Sequence, residues 1–196
     1  MNASRSAVRD QSGAVLSSRT VHFRYASGDD AERILELRRA PSRAGMLSAT
    51  PDDVGAQQRW LAEYRRRHAD GLEHYFLIAN SSGAGIGTAR VHDVTQSSCW
   101  WGSWVVDAGS PIGVSLESYV MINFFMFEVL KVHEAHFRVR RANLPVLRFH
   151  DSMGSRRATE LDDEIQYLAD AAWYAGFRRK HDAHFAMIKC SKDLGL

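Results

Sequence analysis

The chain has 196 residues, of which 45% are hydrophobic, with a formal net charge of +2 and two cysteines. A chain of this length and apolar content can bury one sizeable core, so a single domain is expected. The near-neutral charge gives no general attraction to nucleic acid or to an anionic membrane. Two cysteines without metal-ligand spacing indicate neither a disulfide framework nor a metal site. We therefore expect a cytoplasmic protein that binds no nucleic acid, membrane or metal ion.

The sequence predicts no secretory signal in residues 1–19 and no membrane-spanning segment. Residues 1–19 are rich in Ser and Arg and lack the apolar segment of a secretory signal. We interpret them as a disordered leader or tag remnant and place the domain at residues 20–196. The longest apolar stretch, residues 119–130, is interrupted by Asn123 and Glu128 and is too short to cross a bilayer.

Helix and strand patterns alternate along the chain without a repeat or an interdomain linker. In chain order they predict a strand at 21–25, a helix from Ser27 to about Arg39, a helix from Pro51 through Tyr64, strands at 74–80, 86–94 and 100–106, a helix at 114–130, a strand at 135–140, a helix at 144–153, strands at 156–161 and 164–169, and a polar helix from Asp170. This order predicts an α/β layered domain with a mixed sheet.

One stretch, residues 134–154, reads as a strand, a polar residue and a short helix closed by Gly154. Asn143 and His150 are seven positions apart, which is nearly two helical turns. Their side chains therefore leave the same face of the helix.

Three groups of residues carry a resemblance to a known family. They are Arg38 with Gln58-Arg59-Trp60-Leu61 and Tyr75-Phe76-Leu77-Ile78; Gly102-Ser103-Trp104-Val105-Val106; and Val139-Arg140-Arg141-Ala142-Asn143 with Phe149-His150-Asp151-Ser152-Met153-Gly154. With the element order, they resemble the GNAT superfamily of acyl-CoA-dependent N-acetyltransferases over about residues 21–169. The most similar branch contains ribosomal-protein and nucleotide-sugar acetyltransferases. The resemblance implies an α/β (α+β) fold with a mixed, mainly antiparallel central sheet flanked by helices.

The resemblance also implies acetyl-CoA as the acyl donor. Its contacts would be Val105 and Val106 on a strand, Ser110, Gly113, Val114 and Ser115 at the start of a helix, and Asn143. Backbone N–H groups and the dipole at a helix N-terminus suit a pyrophosphate. The family's loop reads Q/R-x-x-G-x-G/A, so Ser110 replaces a residue with a longer donor side chain. Asn143 is equally a candidate N-cap, and capping is its expected structural role.

Two positions are candidates for proton transfer. His150 stands where the family usually has a Tyr acid for the departing thiolate, and histidine can donate a proton near neutral pH. Some relatives place a Glu base where this chain has Trp100 or Trp101. The nearest proton acceptors by sequence are His92 and Asp93, with a water chain as the alternative.

Aromatic and basic side chains are the candidates for acceptor binding: Arg38, Trp60, Tyr64 and Trp104. Core packing is the alternative role for the aromatic residues. We expect the Arg65–Arg67 cluster to be solvated. For Arg138, Arg140 and Arg141 the alternatives are solvation, the cofactor's 3′-phosphate, or a nucleotide diphosphate acceptor.

These observations predict an acetyl-CoA-dependent N-acetyltransferase whose partner is a small-molecule primary amine. A nucleotide-linked amino sugar of surface-polysaccharide synthesis is the favoured acceptor. Two alternatives stay open: acetylation of a protein N-terminus, and a GNAT-fold protein that binds a ligand without catalysis. The chain is expected to be a monomer or a homodimer.

Overall fold

One mixed sheet of nine strands organises the computed structural model, which describes residues 13–43, 45–47, 50–51, 53–192 and 194. The strands are β1 (Ala14–Ser17), β2 (Val21–Tyr25), β3 (Glu73–Asn80), β4 (Gly85–His92), β5 (Ser98–Val106), β6 (Glu134–Arg140), β7 (Arg156–Glu160), β8 (Glu164–Asp170) and β9 (Lys189–Cys190). They lie in the order β7-β8-β6-β5-β4-β3-β2-β1-β9. Every neighbouring pair is antiparallel except β5 and β6, which are parallel. The predicted mixed, mainly antiparallel sheet is confirmed.

Helices flank both faces of this sheet, as the sequence predicts. The α-helices of the described residues are α1 (Ala31–Arg39), α2 (Val54–Ala69), α3 (Val114–Phe124), α4 (Leu144–Ser152), α5 (Ala171–Lys180) and α6 (Asp182–Phe185). α3 continues as a π-helical turn over Phe125–Val129, so the apolar helix predicted at 114–130 is confirmed. α2 begins at the Asp53 cap, whose carboxylate accepts a 2.7 Å hydrogen bond from the Ala56 N–H.

The two faces of the sheet are covered by different helices. On β6, the alternate residues Phe137 and Val139 are buried in the main core, which includes Tyr119 of α3. On β3, Tyr75 packs against Trp60 of α2 with ring centroids 5.4 Å apart. We call these the α3–α4 face and the α1–α2 face of the sheet.

The sheet begins earlier than predicted. Ala14–Ser17 lie within the predicted leader, yet they form β1, which pairs with β2 and β9. Val15 and Leu16 are buried, and this apolar pair is too short to stand out within a Ser-rich sequence. The prediction of a leader extending to residue 19 is wrong for this strand, and residues 1–12 lie outside the described residues.

β5 and β6 pair only near their starts. Their Cα partners are Ser98–Glu134, Cys99–Ala135 and Trp100–His136, and the described register contains no later pair. A bulge follows on β5, where Ser103 has φ 48° and two residues oppose one on β4. A bulge bends its strand, so the later half of β5 separates from β6.

Candidate active site

A cavity of about 620 Å³ opens where β5 and β6 separate. Its walls come from β4, β5, β6, β8 and α4, and from α1 and the segment that follows it. The lining residues are Arg38, Met46, Leu47, Arg90, His92, Asp93, Trp100, Trp101, Gly102, Ser103, Trp104, Phe137, Arg138, Val139, Arg140, Asn143, Val146, His150 and Glu164. The cavity therefore collects polar side chains from strands and from the helix that follows β6.

This cavity connects the two faces of the sheet. His92 of β4 lies opposite Trp100 of β5, and both side chains share the α1–α2 face with Arg90. Trp101 and Phe137 belong to the main core on the α3–α4 face, with ring centroids 5.0 Å apart. Because both sets of residues line one cavity, a molecule on either face can reach the same gap.

His92 and Asp93 form a hydrogen-bonded pair in this cavity. The His92 Nδ1 lies 2.9 Å from Asp93 Oδ2, and the Asp93 side chain is exposed. A carboxylate only accepts hydrogen bonds, so Nδ1 carries the hydrogen and Nε2 keeps its lone pair. Burial, followed by the positive charge of Arg90, lowers the pKa of His92, against the opposing effect of Asp93. The Nε2 atom of His92 can therefore accept a proton near neutral pH, with Asp93 fixing the ring.

His150 lines the same cavity from the α3–α4 face, but it is almost fully buried. Six aromatic rings surround it with centroids 4.4 to 6.0 Å away: those of Trp101, Trp104, Tyr119, Phe137, Phe149 and Tyr167. Its Nδ1 has no hydrogen-bond partner in the described part of the chain. Burial lowers the pKa of His150 to about 3, so the ring is neutral at physiological pH. A ring with this pKa carries no extra proton to donate near neutral pH, contrary to the expectation for a proton donor, but a neutral ring remains a hydrogen-bond donor.

Asn143 reaches the cavity instead of capping α4. It occupies the N-cap position, but its side chain makes no capping hydrogen bond. Its backbone carbonyl accepts from the Leu147 N–H at 3.0 Å. The expected capping role is wrong, and the amide is available to a ligand beside His150, as the seven-residue spacing predicts.

The predicted cofactor loop lies at the N-terminus of α3, away from the cavity lining. Gly113 is the helix N-cap with φ 99°, a left-handed conformation that glycine adopts without strain. Val114 is buried, and the Ser110 hydroxyl is buried without a partner among the described atoms. The described backbone hydrogen bonds include none donated by the N–H groups of Ile112 or Ser115.

These features fit the phosphate groups of acetyl-CoA. Unpaired N–H groups at the start of an 11-residue helix attract an anion, and the nearby hydroxyl lacks a partner of its own.

Val105 and Val106 pair with Thr88 and Gly87 of β4, and the Val106 carbonyl already accepts a 2.5 Å hydrogen bond from Arg43. That carbonyl is therefore partly occupied by the protein itself.

Two of the predicted acceptor-binding residues lie on the α1–α2 face. Arg38 lines both the main cavity and a recess of about 100 Å³ beside it, and Trp60 lines the recess. The recess also contains Arg90, whose guanidinium lies over the Trp60 ring at 5.2 Å. These residues form an aromatic and basic wall next to His92.

Tyr64 and Trp104 lie elsewhere. Tyr64 is buried, and its hydroxyl bonds the backbone of Tyr75 at 3.0 and 3.3 Å, so its predicted acceptor role is wrong and core packing explains it. The Ser103 bulge turns Trp104 to the same face as Trp101, where its N–H donates to Ser118 at 3.1 Å. Trp104 thus lines the cavity from the α3–α4 face, not from the acceptor wall.

Sequence reasoning missed Arg90 and the buried carboxylate that fixes it. Glu73 accepts from Arg90 at 2.6 Å and from Arg67 at 2.5 Å. Burial acts to raise the pKa of Glu73, but the hydrogen bonds from the two arginines hold it below its usual value. The ion pair between Glu73 and Arg90 joins residues 17 positions apart on neighbouring strands, so no local sequence pattern predicts it.

Comparison with known proteins identifies the family. The family described as "Acetyltransferase (GNAT) domain" matches residues 20–156. The chain belongs to the GNAT acetyltransferase family. A comparison with curated proteins found no significant match.

Solved GNAT structures share this fold. A structure described as "Apo FdhC- a nucleotide-linked sugar GNAT" is 28% identical, covers 87% of this chain and 97% of its own, and has a TM-score of 0.77. Mycobacterium smegmatis RimJ in complex with CoA-disulfide is 18% identical, covers 90% and 96%, and has a TM-score of 0.69. The Vibrio fischeri ribosomal-protein-S5-alanine acetyltransferase is 16% identical, covers 80% and 97%, and has a TM-score of 0.66.

Two further observations concern this GNAT domain. Among the residues described, no group of three or more His, Cys, Asp or Glu side chains is placed to hold a metal ion. No helix in the described part of the chain has the length and apolarity to cross a membrane.

Proposed function

We propose that this GNAT domain transfers an acetyl group from acetyl-CoA to the primary amine of a nucleotide-linked amino sugar. The observation that carries the proposal is the single cavity in which His92 lies on one face of the sheet and Asn143 and His150 on the other. A donor and an acceptor can then meet in the gap between β5 and β6. The likeness to a nucleotide-linked sugar GNAT supports this class of acceptor.

Four polar side chains that line the cavity have roles in the proposed mechanism: His92, Asp93, Asn143 and His150. Acetyl-CoA, when bound, supplies an acetyl group activated as a thioester. His92 accepts the proton of the acceptor's ammonium group at Nε2, which frees the nitrogen lone pair, and Asp93 holds its ring in the required tautomer. The Asn143 amide holds the cofactor arm, and neutral His150 donates a hydrogen bond to the departing sulfur.

The transfer is direct, without a covalent enzyme intermediate. No cysteine lines the cavity among the described residues. Burial raises the pKa of Cys99 to about 12, which removes its thiolate at neutral pH. The amine nitrogen would form its bond to the acetyl carbon as the C–S bond breaks, and the second proton released from that nitrogen would pass to the departing thiolate, so that CoA leaves as the thiol.

Thiol release from acetyl-CoA tests the proposal with three amine classes: nucleotide-linked amino sugars, free amino sugars and peptides with a free N-terminus. We expect turnover to be highest with the first class. Faster turnover with the peptides would replace the proposal by protein N-terminal acetylation. Acetyl-CoA binding in calorimetry without turnover of any amine would indicate a non-catalytic binding protein.

A further inference from the structure

Two arginines of β6 lie on the open part of the α1–α2 face. Arg138 and Arg140 are two positions apart, so they share one face, roughly 7 Å apart along the strand. Both line the cavity. Phe137 and Val139, their neighbours, point into the core on the other face.

Unlike Arg90 and Arg141 nearby, Arg138 and Arg140 form no ion pair with the residues that the structure describes. Arg141 donates to Glu160 at 2.9 Å and to the Leu161 carbonyl at 3.0 Å. Arg90 forms an ion pair with Glu73 at 2.6 Å. Among the described residues, no carboxylate lies within ion-pair distance of Arg138 or Arg140.

The guanidinium groups of Arg138 and Arg140 have different surroundings. The Arg138 guanidinium lies over the Trp100 ring at 4.9 Å, and the His136 ring lies 5.2 Å from the same indole. The Arg140 Nε is buried and has no hydrogen-bond partner among the described atoms. Glu164 pairs with Arg140 in register and lines the cavity, yet it forms no ion pair with it. A buried cationic donor without a partner is costly unless a ligand satisfies it.

We propose that Arg138 and Arg140 bind the diphosphate of the acceptor, a nucleoside diphosphate carrying the amino sugar. This inference rests on the proposed function and locates the acceptor's phosphates. A guanidinium pairs with phosphate through two parallel hydrogen bonds, and two guanidiniums on one strand face match two linked phosphates. The expected cofactor phosphate site is the N-terminus of α3, which does not line this cavity. His92 lies on the same face, so the sugar amine can reach it while the diphosphate stays on β6.

Calorimetry with UDP and dTDP as probes, and with CoA as the reference ligand, tests the site directly. Arg138→Gln and Arg140→Gln should each weaken nucleoside diphosphate binding at least about tenfold, because each removes a charge-assisted pair. CoA affinity should not change. The control is Arg65→Gln, which removes the same charge from an exposed position on α2 and should leave both affinities unchanged.

The inference is overturned if neither nucleotide binds the unmodified protein, or if both β6 variants bind the nucleotides with unchanged affinity. An equal loss of CoA affinity in the variants would also overturn it, because these arginines would then belong to the cofactor site. Kinetics separate this inference from the proposed function. If both variants acetylate the nucleotide-linked acceptor with unchanged KM, the inference fails and the proposed function stands. If the unmodified protein acetylates only peptides, the proposed function fails, whatever the nucleotide titration gives. The expected result is a raised KM for the nucleotide-linked acceptor with kcat nearly unchanged.

Discussion

The His92 imidazole and the Asp93 carboxylate are neighbours in the chain and hydrogen-bonded partners at the mouth of the gap between β5 and β6. Asp93 adopts a left-handed backbone conformation, φ 50°, directly after β4. Asp tolerates this region better than most residues. The turn places a fixed acceptor at Nδ1 and leaves Nε2 as the basic atom of the ring.

This pair predicts how the activity depends on pH. The pKa of His92 is lowered from 6.5, so the ring is neutral above that value and becomes protonated below its own pKa. We expect kcat/KM to be constant at neutral pH and to fall on acidification with a midpoint below 6.5. His92→Gln should lower kcat/KM by about 10²- to 10⁴-fold and remove this acidic limb. A persistent limb in that variant would assign it to another group.

Asp93→Asn gives a second, independent readout of the same pair. The negative charge of Asp93 raises the pKa of His92, so its removal should move the acidic limb to lower pH. Activity at neutral pH should fall by roughly tenfold or more, because the preferred tautomer is lost. An acidic limb that stays in place would show that the two side chains are uncoupled. The exposed Asp70, at the end of α2, provides the control as Asp70→Asn.

The sequence predicted the elements of the fold because each long helix and strand repeats its own pattern of apolar residues. It also predicted that Asn143 and His150 share a helix face, since that follows from helix geometry alone. β1 was missed because its apolar pair, Val15 and Leu16, is too short to stand out in the sequence, and because its pairing with β9 joins segments that are distant in the chain.

Burial and charge at the candidate site could not be predicted in the same way. The pKa of His150 depends on rings contributed by β5, β6, β8 and α3, none of which adjoins it in the chain. Tyr64 and Trp60 are one helical turn apart, but only Trp60 lines a recess. The distinction arises from how α2 rests on β3, not from either residue type.

The buried His150 predicts a conflict between stability and activity. His150→Phe preserves an aromatic ring and removes a buried nitrogen without a partner, so stability should rise by about 1 kcal/mol. For a chain of this size, that corresponds to a Tm increase of about 2–4 °C in calorimetry. The rate of thiol release should fall roughly tenfold as the hydrogen-bond donor is lost. Unchanged turnover would show that His150 contributes only to core packing and not to the reaction.

The acidic limb of activity should survive in His150→Phe. Burial lowers the pKa of His150 to about 3, so this ring stays neutral over most of the acidic range, and we assign the limb to His92. A limb that disappears with His150 would contradict the assignment of the base to His92.

His74 predicts how stability depends on pH. The residue is fully buried on β3, and neither ring nitrogen has a partner among the described atoms. Burial, aided by His68, lowers its pKa from 6.5 to about 4. Between these values the unfolded chain binds a proton that the folded chain does not, so stability falls as the pH drops through this window. The loss amounts to about 3 kcal/mol at the acidic end.

Urea unfolding from pH 7 to pH 4 measures this effect. His74→Phe should raise stability at every pH and make the decrease toward pH 4 shallower. His133→Gln, at an exposed position, should leave the pH dependence unchanged. An equal slope in His74→Phe and the unmodified protein would mean that other groups cause the acid sensitivity.

Gly87 lies where β4 and β5 approach each other too closely for a side chain, which predicts that a larger residue there is destabilising. A Cβ added at Gly87 would lie 2.3 Å from the Val105 carbonyl oxygen, which is a backbone atom and cannot rotate away. Gly87→Ala should therefore push β4 and β5 apart beside the bulge, lower stability by about 2 kcal/mol and reduce acetyl-CoA turnover. Gly102→Ala is the matched control on β5, because a Cβ there meets no atom within 4 Å and φ is not positive. Its Tm should stay close to that of the unmodified protein. Equal Tm values for the two variants in thermal unfolding would contradict the close approach of Gly87 to Val105. A loss of stability in Gly102→Ala alone would place the sterically restricted position at Gly102 on β5 instead.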